Sequence, residues 1–312
     1  MKFRILLTGR NGQIGTELAA LLPRLGEVVA FDRHQLDLAK PEQIRRAIRD
    51  TRPHLIVNAA AYTSVDLAEK QEAEARIINA DAPALMAEEA RRIDATLVHY
   101  STDYVFNGTK DSPYDEDDLP NPINVYGKTK LAGEQAIRDT GVPYLIFRTS
   151  WVYGTRGENF LLRILRLATE REELRIVCDQ VGAPTWSRDI AEATTEVLLP
   201  LANQGREDSL SFGGIYHMTA AGKASWCEFA EAILEEASRM PRGVPWFDSA
   251  TGGQPLVTRR VTPITTEQFP TPARRPANSV LSNSRLKQDF RLELPAWSNQ
   301  LRAMFAKDKI EN

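Results

Sequence analysis

Thr8-Gly9-Arg10-Asn11-Gly12-Gln13-Ile14-Gly15 is the stretch that decides the fold. It follows the apolar run Phe3-Arg4-Ile5-Leu6-Leu7 and opens a helix-patterned segment, Ile14 to Leu25. The spacing is G-x-x-G-x-x-G, not the commoner G-x-G-x-x-G, but the physics is shared. Glycines permit a tight strand-to-helix turn and let the backbone approach a pyrophosphate at the helix's positive end. The chain beyond it keeps alternating. Short apolar runs at Glu27 to Phe31, Leu55 to Asn58, Thr96 to Ser101 and Tyr144 to Arg148 read as strands buried on both faces. Helical patterns at Pro41 to Thr51, Asp81 to Ile93 and Val125 to Thr140 separate them. Strand-helix repetition of this kind predicts an α/β fold, a Rossmann-type doubly wound parallel sheet with right-handed crossovers.

After Trp151 the pattern loosens. Helices are expected at Phe160 to Arg171, Arg188 to Leu201 and Ser225 to Met240, the last with Ser225 as N-cap. Strands are expected at Leu174 to Cys178 and Ile215 to Met218, a loop at Gln204 to Ser209, and extended irregular chain from Pro255 to Pro276. The expected organisation is a cofactor domain of residues 1–154, joined by 186–217. A smaller mixed α/β substrate domain takes 155–185 and 218–312.

Composition narrows the function classes. Basic and acidic side chains number 39 and 42, a net charge of -3, which argues against a nucleic-acid partner. The opening apolar run is too short for a signal peptide, and no stretch reaches the ~20 apolar residues of a membrane helix. Cys178 and Cys227 make no disulfide framework, so a reducing cytoplasm is expected. The four histidines have no metal-ligand spacing, and no metal site is expected.

At the nucleotide end, Asp32 follows the second strand, where an acid reaches the adenosine ribose hydroxyls. Adjacent Arg33 suits a 2′-phosphate, so NADH and NADPH both stay open. Asp37-Leu38 lies near the adenine or forms an ordinary polar loop. Small residues at Asn58-Ala59-Ala60-Ala61 would let a dinucleotide pass close over the sheet edge. At the chemical end, Ser101-Thr102-Asp103 closes the fourth strand, and Tyr126 and Lys130 sit one helical turn apart on the next long helix. A phenol beside an ammonium is expected to ionise more readily. With the Thr102 hydroxyl it forms a set suited to ketone reduction.

Together these motifs resemble the extended short-chain dehydrogenase/reductases. Within them, several stretches closely resemble the dTDP-4-dehydrorhamnose reductase family: Asn58 to Asp66, His99 to Phe106, Asn124 to Glu134, Phe147 to Tyr153, Asp179 to Thr185 and Arg275 to Ser279. The resemblance implies NAD(P)H-dependent reduction of the 4-keto group of dTDP-4-dehydro-6-deoxy-L-mannose to dTDP-L-rhamnose. It assigns Gly12, Gln13 and Ile14, between Gly9 and Gly15, to the pyrophosphate, and Asp32 to the ribose. Asp37 and Leu38 would flank the adenine, and Ala61, Tyr62 and Thr63 would follow the dinucleotide. Tyr126 and Lys130 would meet the nicotinamide half, while Thr102, Asp103 and Trp151 would contact the sugar. Some similar bacterial proteins dimerise through magnesium held by glutamates. Glu17 falls at one such position, as a carboxylate in the first helical turn, but Arg188 and Ser298 occupy the others and cannot supply ligands. A monomer or weak homodimer without a metal bridge is expected. The rival readings are a nucleotide-sugar epimerase or dehydratase of the same fold, and a non-catalytic relative resembling the regulatory β subunit of methionine adenosyltransferase.

Overall fold

The computed structural model describes residues 3–204, 213–241 and 243–307. Its first strand, β1 (Arg4–Thr8), runs into helix α1 (Gln13–Leu21) through the glycine turn. There follow β2 (Glu27–Phe31), α2 (Pro41–Thr51), β3 (Leu55–Asn58), and two short helices, α3 (Val65–Ala68) and α4 (Glu72–Arg76). A π-turn over Ile77–Asp81 leads into α5 (Ala82–Arg92), then β4 (Thr96–Thr102), α6 (Val125–Asp139) and β5 (Tyr144–Thr149). The two short helices and the π-turn carry no strong periodicity, and the sequence pattern does not announce them.

β10 (Gly214–His217) joins β1 to β5 in one parallel six-stranded sheet of order β10-β5-β4-β3-β1-β2. The order reverses direction at β1, so a crevice opens between the carboxyl ends of β1 and β3, the usual ligand position in such sheets. Leu55 to Val57 and Leu97 to Val98 are fully buried, as strands covered on both faces must be. On one face the core combines Leu7, Leu18, Val57 and Phe147 with Ile190 and Leu198 of α8 (Ser187–Gln204). On the other, Leu6, Ile44, Ile56, Met86 and Ile146 pack together. The loop expected at Gln204 to Ser209 lies, apart from the end of α8, outside the described residues.

The second lobe is built on α7 (Phe160–Glu170), β7 (Glu173–Val177) and the helix Trp226–Ala237, here α9. Ser225 caps α9 as expected, in a reciprocal box with Glu228. The stretch expected to be irregular instead contains β12 (Arg260–Ile264), which pairs in parallel with β7. Pro263 sits within it, on a two-stranded ribbon with free edges where proline is tolerated. Helices α10 (Pro245–Thr251), α11 (Ser284–Phe290) and α12 (Trp297–Lys307) complete the described chain. Cys178 and Cys227, expected to make no disulfide framework, form a single disulfide, their Cα atoms 5.1 Å apart. The sequence separation of 49 residues hides a contact made only when α9 docks on the end of β7.

Candidate active site

Gly9 has φ of +70°, and a Cβ there would lie 2.8 Å from the backbone nitrogen of Ala60. Only glycine lets the β1 turn approach the β3 turn this closely. Gly12 precedes α1 as its N-cap and Gly15 lies in the first turn, packed against the Gly9 carbonyl. Thr8 and Asn58 are register partners, and the Thr8 hydroxyl donates to Asn58 Oδ1 at 2.7 Å. The glycine turn and the small Ala59-Ala60-Ala61 segment therefore form the two walls of the crevice.

Asp32 is half-buried just after β2 and held there, its carboxylate accepting from the backbone of His34 and Gln35 and from Asn11. The Gln35 and His34 backbone N–H groups hold its carboxyl below the usual range. Arg33 turns to Glu74 at 3.7 Å. Asp37 accepts from Ala39 N, while Leu38 is buried in the core with Leu6 and Ile44. Its side chain therefore serves packing, and its backbone is the part left to flank an adenine. Gln13 reaches out of the sheet domain, donating to Val152 O and accepting from Asn159. Ile14 packs into the core beneath the turn.

Ala61, Tyr62 and Thr63 lie in the loop between β3 and α3. Asn79, on the π-turn, clamps this loop by accepting from Tyr62 N, donating to Tyr62 O and reaching Thr129 on α6. Sequence reasoning missed Asn79, since nothing local distinguishes it. The Tyr62 hydroxyl donates to Gln71 at 2.7 Å.

Helix α6 begins at Asn124, whose side chain accepts from Gly127 N and donates to Arg274 O. Tyr126 lies in its first turn, edge-on to Tyr104. Burial pushes its phenol up to about 12, and the neighbouring Thr102 hydroxyl opposes this. Lys130 follows one turn later, fully buried, donating to Tyr100 O at 2.6 Å with His99 Nε2 3.1 Å away. Burial lowers it to about 8. In this arrangement the lysine amine is engaged with Tyr100 and His99, and burial dominates the shift of the tyrosine.

Asp103 was expected to face the sugar, but it is buried and accepts from Thr102 and Ser150. Burial raises it to about 6. Its contribution is to orient the Thr102 hydroxyl. Deeper still, Glu134 pairs bidentately with Arg148 and accepts from Ser101. Beside the site, Asp66 and Arg275 pair at 2.7 Å across 209 residues of sequence.

Trp151 sits just after β5 in the left-handed region, with φ of +46°, which is costly for a bulky residue. Its indole stacks on Trp226 at a centroid distance of 3.3 Å and 3° between planes. On another side it meets Gly182, where a Cβ would lie 2.4 Å from Trp151 Cε2. Trp226 donates to Gln180, which donates in turn to Thr266. The flat face expected to be open to a sugar is thus covered by a second indole that sequence reasoning did not identify.

Glu17 is not in the first turn of α1; it forms an ion pair with Arg188 at 3.1 Å, and Arg188 also binds Glu192. Among the described residues no cluster of His, Cys, Asp and Glu could hold a metal, and no helix is long and apolar enough to cross a membrane.

A family model for the RmlD substrate binding domain matches residues 2–310. A dTDP-4-dehydrorhamnose reductase of Burkholderia thailandensis is 49% identical over 294 residues, spanning 94% of this chain and 95% of that protein. One from Escherichia coli is 41% identical over 304 residues, 96% of each chain. The crystal structure of a dTDP-4-dehydrorhamnose reductase from Bacillus anthracis in complex with NADP matches with a TM-score of 0.86 at 36% identity, covering 98% of this chain and 100% of that one. A glycine turn, a Thr-Tyr-Lys set and full-length likeness to these proteins agree, and the chain belongs to the RmlD substrate binding domain family, alongside the dTDP-4-dehydrorhamnose reductases.

Proposed function

We infer that the chain is an NAD(P)H-dependent oxidoreductase that reduces the 4-keto group of dTDP-4-dehydro-L-rhamnose to give dTDP-L-rhamnose. The observation that carries this is the grouping of Tyr126 with Thr102 at the carboxyl edge of the sheet, with Lys130 one turn away. The crevice suits a dinucleotide: Gly9 leaves backbone open beside Ala60, and Asp32 stands where ribose hydroxyls would be received. When bound, the reduced nicotinamide supplies a hydride to the carbonyl carbon. Gly9, Gly12, Gln13, Ile14 and Gly15 would hold the pyrophosphate, with Asp32 at the ribose and Asp37 and Leu38 beside the adenine. Ala61, Tyr62 and Thr63 would line the path to the nicotinamide.

Tyr126 donates its phenolic proton to the alkoxide forming at C4. Thr102 turns its single hydroxyl proton from Asp103 to the same oxygen as charge develops there. Lys130 meets the nicotinamide ribose, and its ammonium stabilises the phenolate left behind. Trp151 meets the apolar face of the deoxysugar once Trp226 moves aside. In this reading residues 1–154 with 186–217 hold the cofactor, and 155–185 with 218–312 hold the sugar nucleotide. The protein works in the cytoplasm as a monomer or weak dimer. A single disulfide is not the dense framework of small secreted domains.

The test is NADPH or NADH oxidation by purified protein, dependent on the 4-keto sugar nucleotide. Tyr126→Phe is expected to lose roughly 10²- to 10⁴-fold in turnover. Undiminished turnover in that variant would remove Tyr126 from the mechanism.

A further inference from the structure

Thr8, Asn58 and His99 occupy one rung across three adjacent strands, since Thr8 is the register partner of Asn58 and Asn58 that of His99. All three are essentially inaccessible to solvent. The Thr8 hydroxyl and the backbone N–H of Ala60 both donate to Asn58 Oδ1, at 2.7 and 3.3 Å. A backbone N–H can only donate, so it identifies the oxygen end of the Asn58 amide. The amide nitrogen then faces His99 Nδ1 at 3.1 Å. Because that nitrogen also only donates, Nδ1 must offer a lone pair, and a neutral imidazole carries its proton on Nε2.

Nε2 lies 3.1 Å from Lys130 Nζ. An N–H in that position finds an acceptor only if the lysine is an uncharged amine, whose own hydrogen goes to Tyr100 O at 2.6 Å. Charging Lys130 in place would set two donors against each other at one end of the rung. We propose that His99 is a positioning residue that holds Lys130 as a neutral amine in the cofactor-free protein, so that nicotinamide-cofactor binding is coupled to proton uptake by Lys130. The step is Lys–NH₂ plus a solvent proton giving Lys–NH₃⁺, and the ammonium leaves His99 for the cofactor side.

Of the other groups facing this pair, Glu134, one turn along α6, opposes the neutral amine by favouring the ammonium, and it is itself committed to Arg148 and Ser101. Tyr126 and Asp103 lie with Thr102, and burial holds both toward their neutral forms. Desolvation lowers Lys130 itself, in the same sense as the hydrogen-bond arrangement. The coupling builds on the reading of Lys130 as the residue that meets the cofactor.

The test is calorimetric titration of the protein with NADP⁺ at pH ~9, in two buffers of different ionisation enthalpy. That pH lies between the value of about 8 for buried Lys130 and the ordinary lysine value of 10.5. The expected result is a buffer-dependent heat corresponding to uptake approaching roughly one proton, lost in Lys130→Met. His99→Gln offers the lysine a carbonyl acceptor, so the ammonium is tolerated beforehand and uptake should fall by about half or more. Ring ¹⁵N spectra of histidine-labelled wild-type protein should show the proton on His99 Nε2. Heat without buffer dependence, uptake persisting in Lys130→Met, unchanged uptake in His99→Gln, or a proton on Nδ1 would each overturn the proposal. Absence of any binding heat would instead count against the assigned cofactor.

Discussion

Replacing Gly182 by alanine should separate the sugar pocket from the stability of the fold. Gly182 is in the short strand β8 (Val181–Gly182), which pairs with Ala224 and Ser225 beside the start of α9. Its backbone is not in the left-handed region, so alanine brings no conformational penalty of its own. The added methyl would lie 2.4, 2.6 and 2.8 Å from Cε2, Nε1 and Cζ2 of Trp151. Ordinary carbon contacts begin near ~3.5 Å, so the indole must retreat by about 1 Å. Trp226 stacks on it at 3.3 Å, leaving no slack in that direction. Overpacking of this kind costs about 1–3 kcal/mol of stability. A shift of about 1 Å in a substrate-positioning group costs on the order of 100-fold in kcat/KM. Steady-state NADPH oxidation with the 4-keto sugar nucleotide, alongside thermal melting, measures both. A second change, Trp226→Ala, opens the far side of the indole and should restore part of the melting temperature in the double variant. A folded Gly182→Ala protein with kcat/KM within about twofold of wild type would refute the placement of Trp151 at the sugar.

Further outcomes follow from buried charge and from the ion pair at Glu17. Glu134→Gln leaves the Arg148 guanidinium buried without its counter-charge, and urea unfolding should show a loss of roughly 3–5 kcal/mol. Lys130 is held below its ordinary 10.5, at about 8, so between those values the unfolded chain binds more protons. Stability should therefore rise with pH across that window, and Lys130→Met should flatten the rise in denaturation midpoints. Arg188 already neutralises Glu17, so a chelator should change neither turnover nor the mass measured by sedimentation.

The sheet was legible because its strands are short apolar runs, and a parallel sheet covered on both faces leaves no other pattern. Gly9 to Gly15 and Tyr126 with Lys130 were legible because their geometry is local, a turn and one turn of helix. What escaped depends on register or on distant chain. His99 matters because β4 places it beside Asn58, which no spacing within either strand reveals. Trp226 covers Trp151 from 75 residues away in number, and Cys227 meets Cys178 only through the docking of α9. Asp103 looked like a binding residue because acids beside a crevice often are, yet the Thr102 and Ser150 hydroxyls hold it inward. Leu38 was placed by its neighbour in sequence, whereas hydrophobic burial decided its position.

The path of the chain between lobes also limits how such proteins can be recombined. The core under the sheet includes Ile190, Val197 and Leu198 of α8, Met218 after β10, and Leu286 and Leu294 from near the carboxyl end. A fragment cut after residue 154 would expose Leu18, Val57 and Phe147 where those side chains should lie. Grafting a new second lobe onto this sheet lobe therefore requires several matched junctions, not one. Specificity within this architecture is more readily altered by single changes around Trp151 and Trp226 than by exchange of whole segments.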